Sequence, residues 1–203
     1  IWLIVDEWGA WYPVEPGTNP AFLYQQNSMR DAIVAALTLH IFQKYSDRVQ
    51  MANLAQTVNV IQALFLTEDE KMILTPTYHV FDMFKGHQDA TRLALEIETD
   101  STTVDGYELP FVSASASRTT SGEVLLTLCN LHPNEARSVT VNVADMDVTN
   151  VDGTILVGDA IQAHNTFEEP DRVTPQAFEG TTLVDGTLTI ALPAASVVAL
   201  TLQ

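Results

Sequence analysis

Leu3-Ile-Val-Asp-Glu-Trp-Gly9, with Ala10-Trp-Tyr12 directly behind it, decides how the rest of the chain is read. A short apolar run ends in an acidic pair and then in an aromatic cluster. At the C-terminal end of a parallel barrel strand this order delivers a carboxylate into an aromatic-walled pocket, because the strand stays buried up to the point where its loop opens. A strand of that kind needs partners on its edges, yet this one opens the chain at Ile1, with no initiator Met. The expectation is that these 203 residues form the C-terminal part of a larger enzyme.

Outward from that strand, residues up to about 90 alternate short apolar runs with helical patterns, as α/β proteins do. Ser28 and Asp31 have the spacing of a capping box, and Ile33, Leu37 and Ile41 recur at helical spacing through Asp31 to Tyr45. Val49-Gln-Met-Ala-Asn-Leu-Ala55 reads as a second buried strand, whose C-terminal end is Gln56 to Asn59. A second helix is predicted across Tyr78 to Lys85, with Gly86 as its stop. Two strand-helix units make a quarter of a (β/α)8 barrel, which takes about 250 residues when whole.

From about Thr91 the period changes to two, and turn signals recur. Leu93-Ala-Leu-Glu-Ile97, Phe111 to Arg118, Glu123 to Leu131, Ser138 to Val143, Thr187 to Leu192 and Ser196 to Leu202 are the predicted strands. Ser121-Gly122, Asp152-Gly153 and Asp185-Gly186 are the predicted turns. No helix of useful length is predicted after residue 90, so residues 91–203 are expected to be an antiparallel β-sandwich behind an α/β segment of residues 1–90.

Composition narrows the function class. Nine basic against 26 acidic residues give a net charge of −17, which repels phosphate backbones and argues against nucleic acid as a partner. No stretch approaches the roughly 18 to 20 apolar residues of a membrane span. Ile1 to Val5 is too short for a signal peptide, so the compartment stays open, with the cytoplasm as the default. Cys129 is the lone cysteine, which leaves no intrachain disulfide, and its strand-like setting marks a small apolar residue. The five histidines, His40, His79, His87, His132 and His164, show no paired ligand spacing, so neither a metal nor another cofactor is expected.

Four segments then carry a resemblance: Val5-Asp-Glu-Trp-Gly-Ala-Trp-Tyr12, Asn53-Leu-Ala-Gln-Thr-Val-Asn-Val-Ile61, Ala163-His-Asn-Thr-Phe-Glu-Glu-Pro-Asp-Arg-Val-Thr-Pro175 and Leu192-Pro-Ala-Ala-Ser-Val-Val-Ala-Leu200. In this order they resemble the family 51 glycoside hydrolases, the α-L-arabinofuranosidases. The resemblance implies a retaining enzyme in which a (β/α)8 TIM barrel precedes a sandwich of jelly-roll type. Residues 1–90 would be the last two β/α units of that catalytic barrel and residues 91–203 the C-terminal sandwich. It further implies an acid/base Glu upstream of Ile1 in the missing N-terminal part, an arabinose-containing oligo- or polysaccharide as substrate, and a homo-oligomer.

Retention requires two carboxyl groups about 5 to 5.5 Å apart, one attacking the anomeric carbon and one protonating the leaving oxygen. Read alone, Asp6-Glu7 is a pair of solvated acids at a strand end; the resemblance makes Glu7 the nucleophile, and alternation along the strand gives Asp6 a structural role. Trp8, Trp11 and Tyr12 are candidates for an apolar wall against the sugar, with packing beneath the barrel rim as the alternative. The resemblance also makes Gln56 a ligand of a sugar hydroxyl, a task for which an amide supplies both donor and acceptor. Asn59 is expected to fasten the next loop, and the Asp159 to Pro175 connection carrying His164-Asn165 to reach across to the barrel. Asn134-Glu135 reproduces the Asn-Glu pair of the acid/base strand, but it follows Pro133 in a turn and reads as surface.

Two other functions fit parts of the sequence. An endoglucanase of the same family would keep the fold and change the substrate. A non-catalytic carbohydrate-binding sandwich would need exposed coplanar aromatics, and beyond residue 91 there are only Tyr107, Phe111, Phe167 and Phe178, with no Trp.

Overall fold

In the computed structural model, which describes residues 1–203, β1 (Leu3–Trp8) and β2 (Val49–Leu54) lie side by side as a parallel pair. The crossover between them is α1 (Met29–Lys44), and it begins where the sequence signals it. Ser28 N donates to Asp31 Oδ2 at 2.9 Å in a capping box. The next two amides, those of Met29 and Arg30, donate to the carbonyls of Ala163 and Ile161, so a distant loop closes the helix end. After β2 come a hairpin, β3 (Phe65–Glu68) and β4 (Lys71–Leu74), and then α2 (Pro76–Phe84). Thr75 caps α2 by accepting from Tyr78 N at 3.3 Å, and Pro76 fills the first helical position, where no N–H is needed.

Gly86 is not the stop that was expected. It lies inside a 3-10 turn, Lys85–His87, and a Cβ built on it would stand 2.7 Å from Leu125 Cδ1. Close approach of the helix end to the sheet, rather than a left-handed cap, is what favours a small residue there.

The remaining strands are β5 (Thr91–Arg92), β6 (Ser101–Val104), β7 (Tyr107–Pro110), β8 (Val112–Arg118), β9 (Val124–Asn130), β10 (Arg137–Asn142), β11 (Val151–Leu156), β12 (Gln176–Ala177), β13 (Thr181–Val184), β14 (Thr187–Leu192) and β15 (Ser196–Leu202). They form a six-stranded antiparallel sheet in the order β12-β11-β15-β9-β8-β5, a three-stranded sheet β10-β14-β13 and the hairpin β6-β7. Leu188, Ile190 and Leu192 of β14 point inward in strict alternation and meet Leu126, Leu128, Val198 and Leu200 of the larger sheet. The opposite face of that larger sheet is covered by helices. Cys129, Leu156 and Val197 pack there against Met29, Ala32, Ile33, Ala36, Val80 and Phe84, the alanines letting α1 lie close. One sheet therefore serves two cores, which is why β9 and β15 are apolar on both faces.

Two further readings of the sequence change. Leu93 to Ile97 forms no ladder; Leu93 N still donates to Ala116 O at 2.9 Å, after which the chain leaves the sheet, with Leu93 and Leu95 packed on the core. Asp152-Gly153 is not a turn but the middle of β11, where a Cβ would come within 2.9 Å of Leu200 Cδ2 and 3.1 Å of Phe178 Cβ. Asp185-Gly186 does turn the chain, both residues having positive φ (47° and 73°), and Asp105-Gly106 makes the same kind of turn between β6 and β7.

Candidate active site

The ends of β1 and β2 are joined by Ala55 N donating to Trp8 O at 2.8 Å. Val5 pairs with Ala52 and Trp8 with Leu54, so β1 carries one residue more than β2 across Asp6–Glu7. A bulge of this kind re-aims the side chains it contains. Glu7 is exposed on it, as is Asp6, and Gln56 is exposed immediately beyond the end of β2, after a cis Ala55–Gln56 peptide. Glu7 and Gln56 thus share the C-terminal edge of adjacent parallel strands, the edge on which such sheets place their chemistry.

The aromatics divide. Trp8 is half-buried among the helices, stacked on Phe81 at 6.0 Å and edge-on to Phe42 at 5.5 Å, a packed position of the kind named as the alternative to a wall. Trp11 is 69% exposed, and Tyr12 is half-buried under the guanidinium of Arg30, 3.6 Å from the ring centroid. Gly9 brings their loop close to β2: its φ is 156°, and a Cβ would meet Ala55 O at 2.9 Å.

Two residues outside the motifs quoted above anchor this loop. Gln62, fully buried, accepts from Ala10 N at 2.7 Å and donates to Asp31 O at 2.8 Å. Gln25, also buried, accepts from Tyr12 N at 2.8 Å and donates to Ala10 O at 3.2 Å. Gln25 stands in the polar stretch Tyr24 to Ser28, where a buried amide looks like any solvated one, whereas Gln62 is the one polar residue in the apolar run Val60 to Leu66, which is the signal that marks it as buried.

Around this edge the other candidates are structural. Asn59 exchanges hydrogen bonds with Thr67, accepting from its N at 2.8 Å and donating to its hydroxyl at 2.8 Å, and so ties β3 to the end of β2. The Asp159 to Pro175 connection does reach across: His164 Nε2 lies 2.9 Å from Gln26 Nε2, and Asn165 donates to Leu74 O and Val173 O, both at 3.0 Å. Glu135 is on the surface with Arg137 at 2.9 Å. A cleft of about 510 Å3 between α1 and the sandwich and one of about 860 Å3 along the sandwich contain neither Glu7 nor Gln56.

A second polar cluster lies away from the edge, between α1, α2 and the larger sheet. His40 is held between Ser113 Oγ and Thr127 Oγ1, both at 3.0 Å, and His87 between Ser117 Oγ at 2.7 Å and the same Thr127 hydroxyl at 3.0 Å. Burial, followed by repulsion from His87, pushes His40 down to about 3; burial alone pushes His87 down to about 4. Both rings are neutral at pH 7 and serve as hydrogen-bonding spacers. Burial raises the Cys129 thiol far above its ordinary value, so no thiolate is available there. No group of three or more His, Cys, Asp or Glu side chains gathers as a metal site.

The family model for the α-L-arabinofuranosidase C-terminal domain matches residues 6–196, a span that begins at the acidic pair of β1 and ends at the start of β15. The chain belongs to this family. It is 45% identical over 202 residues to an intracellular exo-α-L-arabinofuranosidase of Bacteroides ovatus, covering 99% of this chain and 39% of that protein. It is 29% identical over 203 residues to the intracellular exo-α-(1→5)-L-arabinofuranosidase of Streptomyces lividans, covering 94% of this chain and 30% of that protein. Among solved structures, the GH51 arabinofuranosidase from Xanthomonas axonopodis pv. citri superposes with a TM-score of 0.95 at 47% identity, over 100% of this chain and 41% of that one. The chain spans about two-fifths of the length of the Bacteroides ovatus and Xanthomonas axonopodis enzymes and 30% of the Streptomyces lividans one.

Proposed function

We propose that the chain is the C-terminal portion of a retaining, exo-acting α-L-arabinofuranosidase that removes terminal arabinofuranosyl groups from arabinan, arabinoxylan and their oligosaccharides. Residues 1–90 supply the last two β/α units of a (β/α)8 barrel, and residues 91–203 supply the jelly-roll sandwich. Glu7 is the nucleophile. Its carboxylate attacks the anomeric carbon while the glycosidic C–O bond breaks and an acid/base Glu, carried elsewhere in the longer polypeptide, gives its proton to the leaving oxygen. Water then attacks the glycosyl-enzyme ester, returning its proton to the acid/base Glu and freeing Glu7. Gln56, one strand over, hydrogen-bonds a sugar hydroxyl, and Trp11 with Tyr12 walls the mouth against water.

The observation that carries this reading is the position of Glu7: it is exposed on a bulge at the C-terminal end of a parallel strand, beside Gln56. The names of the relatives support the choice of sugar. The test is hydrolysis of an aryl α-L-arabinofuranoside by the full-length polypeptide and its Glu7→Ala variant. The variant is expected to lose on the order of 10⁴-fold or more in kcat, and azide is expected to restore turnover as an inverted glycosyl azide. A variant as active as its parent, or a parent that cuts β-glucans and leaves arabinofuranosides intact, contradicts the proposal.

A further inference from the structure

Beyond the end of β1 the backbone continues as if it still had a neighbour. Gln25 supplies it: its carboxamide bonds the carbonyl of Ala10 and the N–H of Tyr12. These are the two groups that a parallel strand takes on either side of one residue, here Trp11. The orientation of the amide is fixed by a third partner, since Nε2 also donates to Asp31 Oδ1 at 3.3 Å. Turned over, the amide would set its oxygen against Ala10 O and the Asp31 carboxylate, and its NH2 against an N–H. Asp31 in turn is held by Ser28 N at 2.9 Å and by Arg30 at 3.1 Å, so the capping box of α1 is also the anchor of this loop. Gln62 fixes the preceding amide from Thr77 and the α1 backbone.

What this apparatus holds is an exposed ring. Gln25 is 1% exposed and Gln62 0%, whereas Trp11, on the backbone that they pin, is 69% exposed. Within this chain, Trp11 buries too little of its ring to account for immobilising the backbone beneath it. A pocket wall does need it, because a side chain that contacts a sugar works only when its own support is locked.

We propose that Gln25 is a positioning residue for Trp11, holding that ring at the mouth of the sugar pocket; this rests on the reading of the Glu7 edge as the active site. In the full-length enzyme, Gln25→Met keeps the side-chain volume and deletes both backbone hydrogen bonds. It is expected to lower kcat/KM for an aryl α-L-arabinofuranoside by about 10- to 100-fold, mainly through KM, and Trp11→Ala to do the same. The double variant is expected to be no worse than Trp11→Ala alone, because Gln25 acts through that ring. Multiplying effects in the double variant, or a lowered Tm with kcat/KM unchanged, would overturn the assignment. Gln25→Asn carries the same cycle if the Met variant does not fold, and failure of both to fold also overturns it, since Gln25 is then a requirement of the fold. Glu7→Ala with azide separates the two claims. If Glu7 behaves as a nucleophile while the cycle multiplies, only the role of Gln25 falls; if Glu7→Ala remains fully active, the proposed function falls too.

Discussion

The parallel ribbon and the sandwich are built from similarly apolar strands and differ in what covers them. In β9 and β15 the apolar side chains are covered on both faces, with Leu128 and Leu200 at 1% exposure between the sheets and Val197 fully buried under the helices. In β1 and β2, Leu3, Ile4 and Met51 remain 45%, 60% and 54% exposed, and each strand has only the other as a neighbour. The helices cover one side of the ribbon, where Trp8 packs, and nothing in this chain covers the remainder. An apolar run therefore states that a strand belongs in a buried sheet; it does not state that the same stretch of chain supplies the cover.

The contrast has measurable consequences. Leu128→Ala is expected to cost about 2 to 5 kcal/mol, as cavity-forming core changes do. Met51→Ala is expected to change the stability of this chain by less than about 0.5 kcal/mol, as exposed sites do. In the longer polypeptide, Met51→Ala becomes the core-like change if further strands cover the ribbon, and denaturant midpoints of both lengths read this directly. Equal, small effects of Met51→Ala in the two lengths would break the comparison.

The next largest effect lies at the joint between the regions. Asp31→Ala removes the capping-box carboxylate and a partner of Gln25 and Arg30 together, and is expected to cost about 3 kcal/mol, from the lost cap and the unpaired buried groups. The His40–Thr127–His87 seam gives a smaller, pH-dependent effect. Both rings have folded-state values below the unfolded value of 6.5, so the unfolded chain takes up protons first as the pH falls. Their stabilisation is fully present above pH 6.5 and is lost progressively below it, toward the folded values of about 3 and about 4, at roughly 1 kcal/mol per pH unit for each ring. Unfolding midpoints at pH 7.5 and 5.5 measure the slope, and His40→Gln should remove about half of it; an unchanged slope would contradict the assignment. The smallest effect is Gly86→Ala, below about 1 kcal/mol, because the side chain in its way is the movable end of Leu125.

How much of this was legible in the sequence follows the range of the interactions. The capping box at Ser28 and Asp31, the helix behind it, and strands β14 and β15 are local patterns and fall where the sequence places them. Gly153 and Gly86 carry the composition of a turn or helix stop, whereas each accommodates a side chain from a strand distant in sequence, Leu200 and Leu125. Asp105-Gly106 carries the same local turn signal as Asp185-Gly186 and turns the chain in the same way. At the candidate site, Glu7 and Gln56 were legible as strand ends. The roles of Gln25 and Gln62 were not, since they depend on burial by α1 and on backbone groups up to 52 residues away.

Glu7 is proposed to form the covalent bond to the sugar. The direct measurement is to incubate the full-length enzyme with a 2-deoxy-2-fluoro-arabinofuranosyl donor carrying a good leaving group, which slows hydrolysis of the ester intermediate, and to locate the added mass by peptide sequencing. One label per active site is expected, on Glu7 within Leu3 to Tyr12. A label on Asp6 or on a carboxylate outside this segment, or turnover through inversion with no trapped ester, would contradict it.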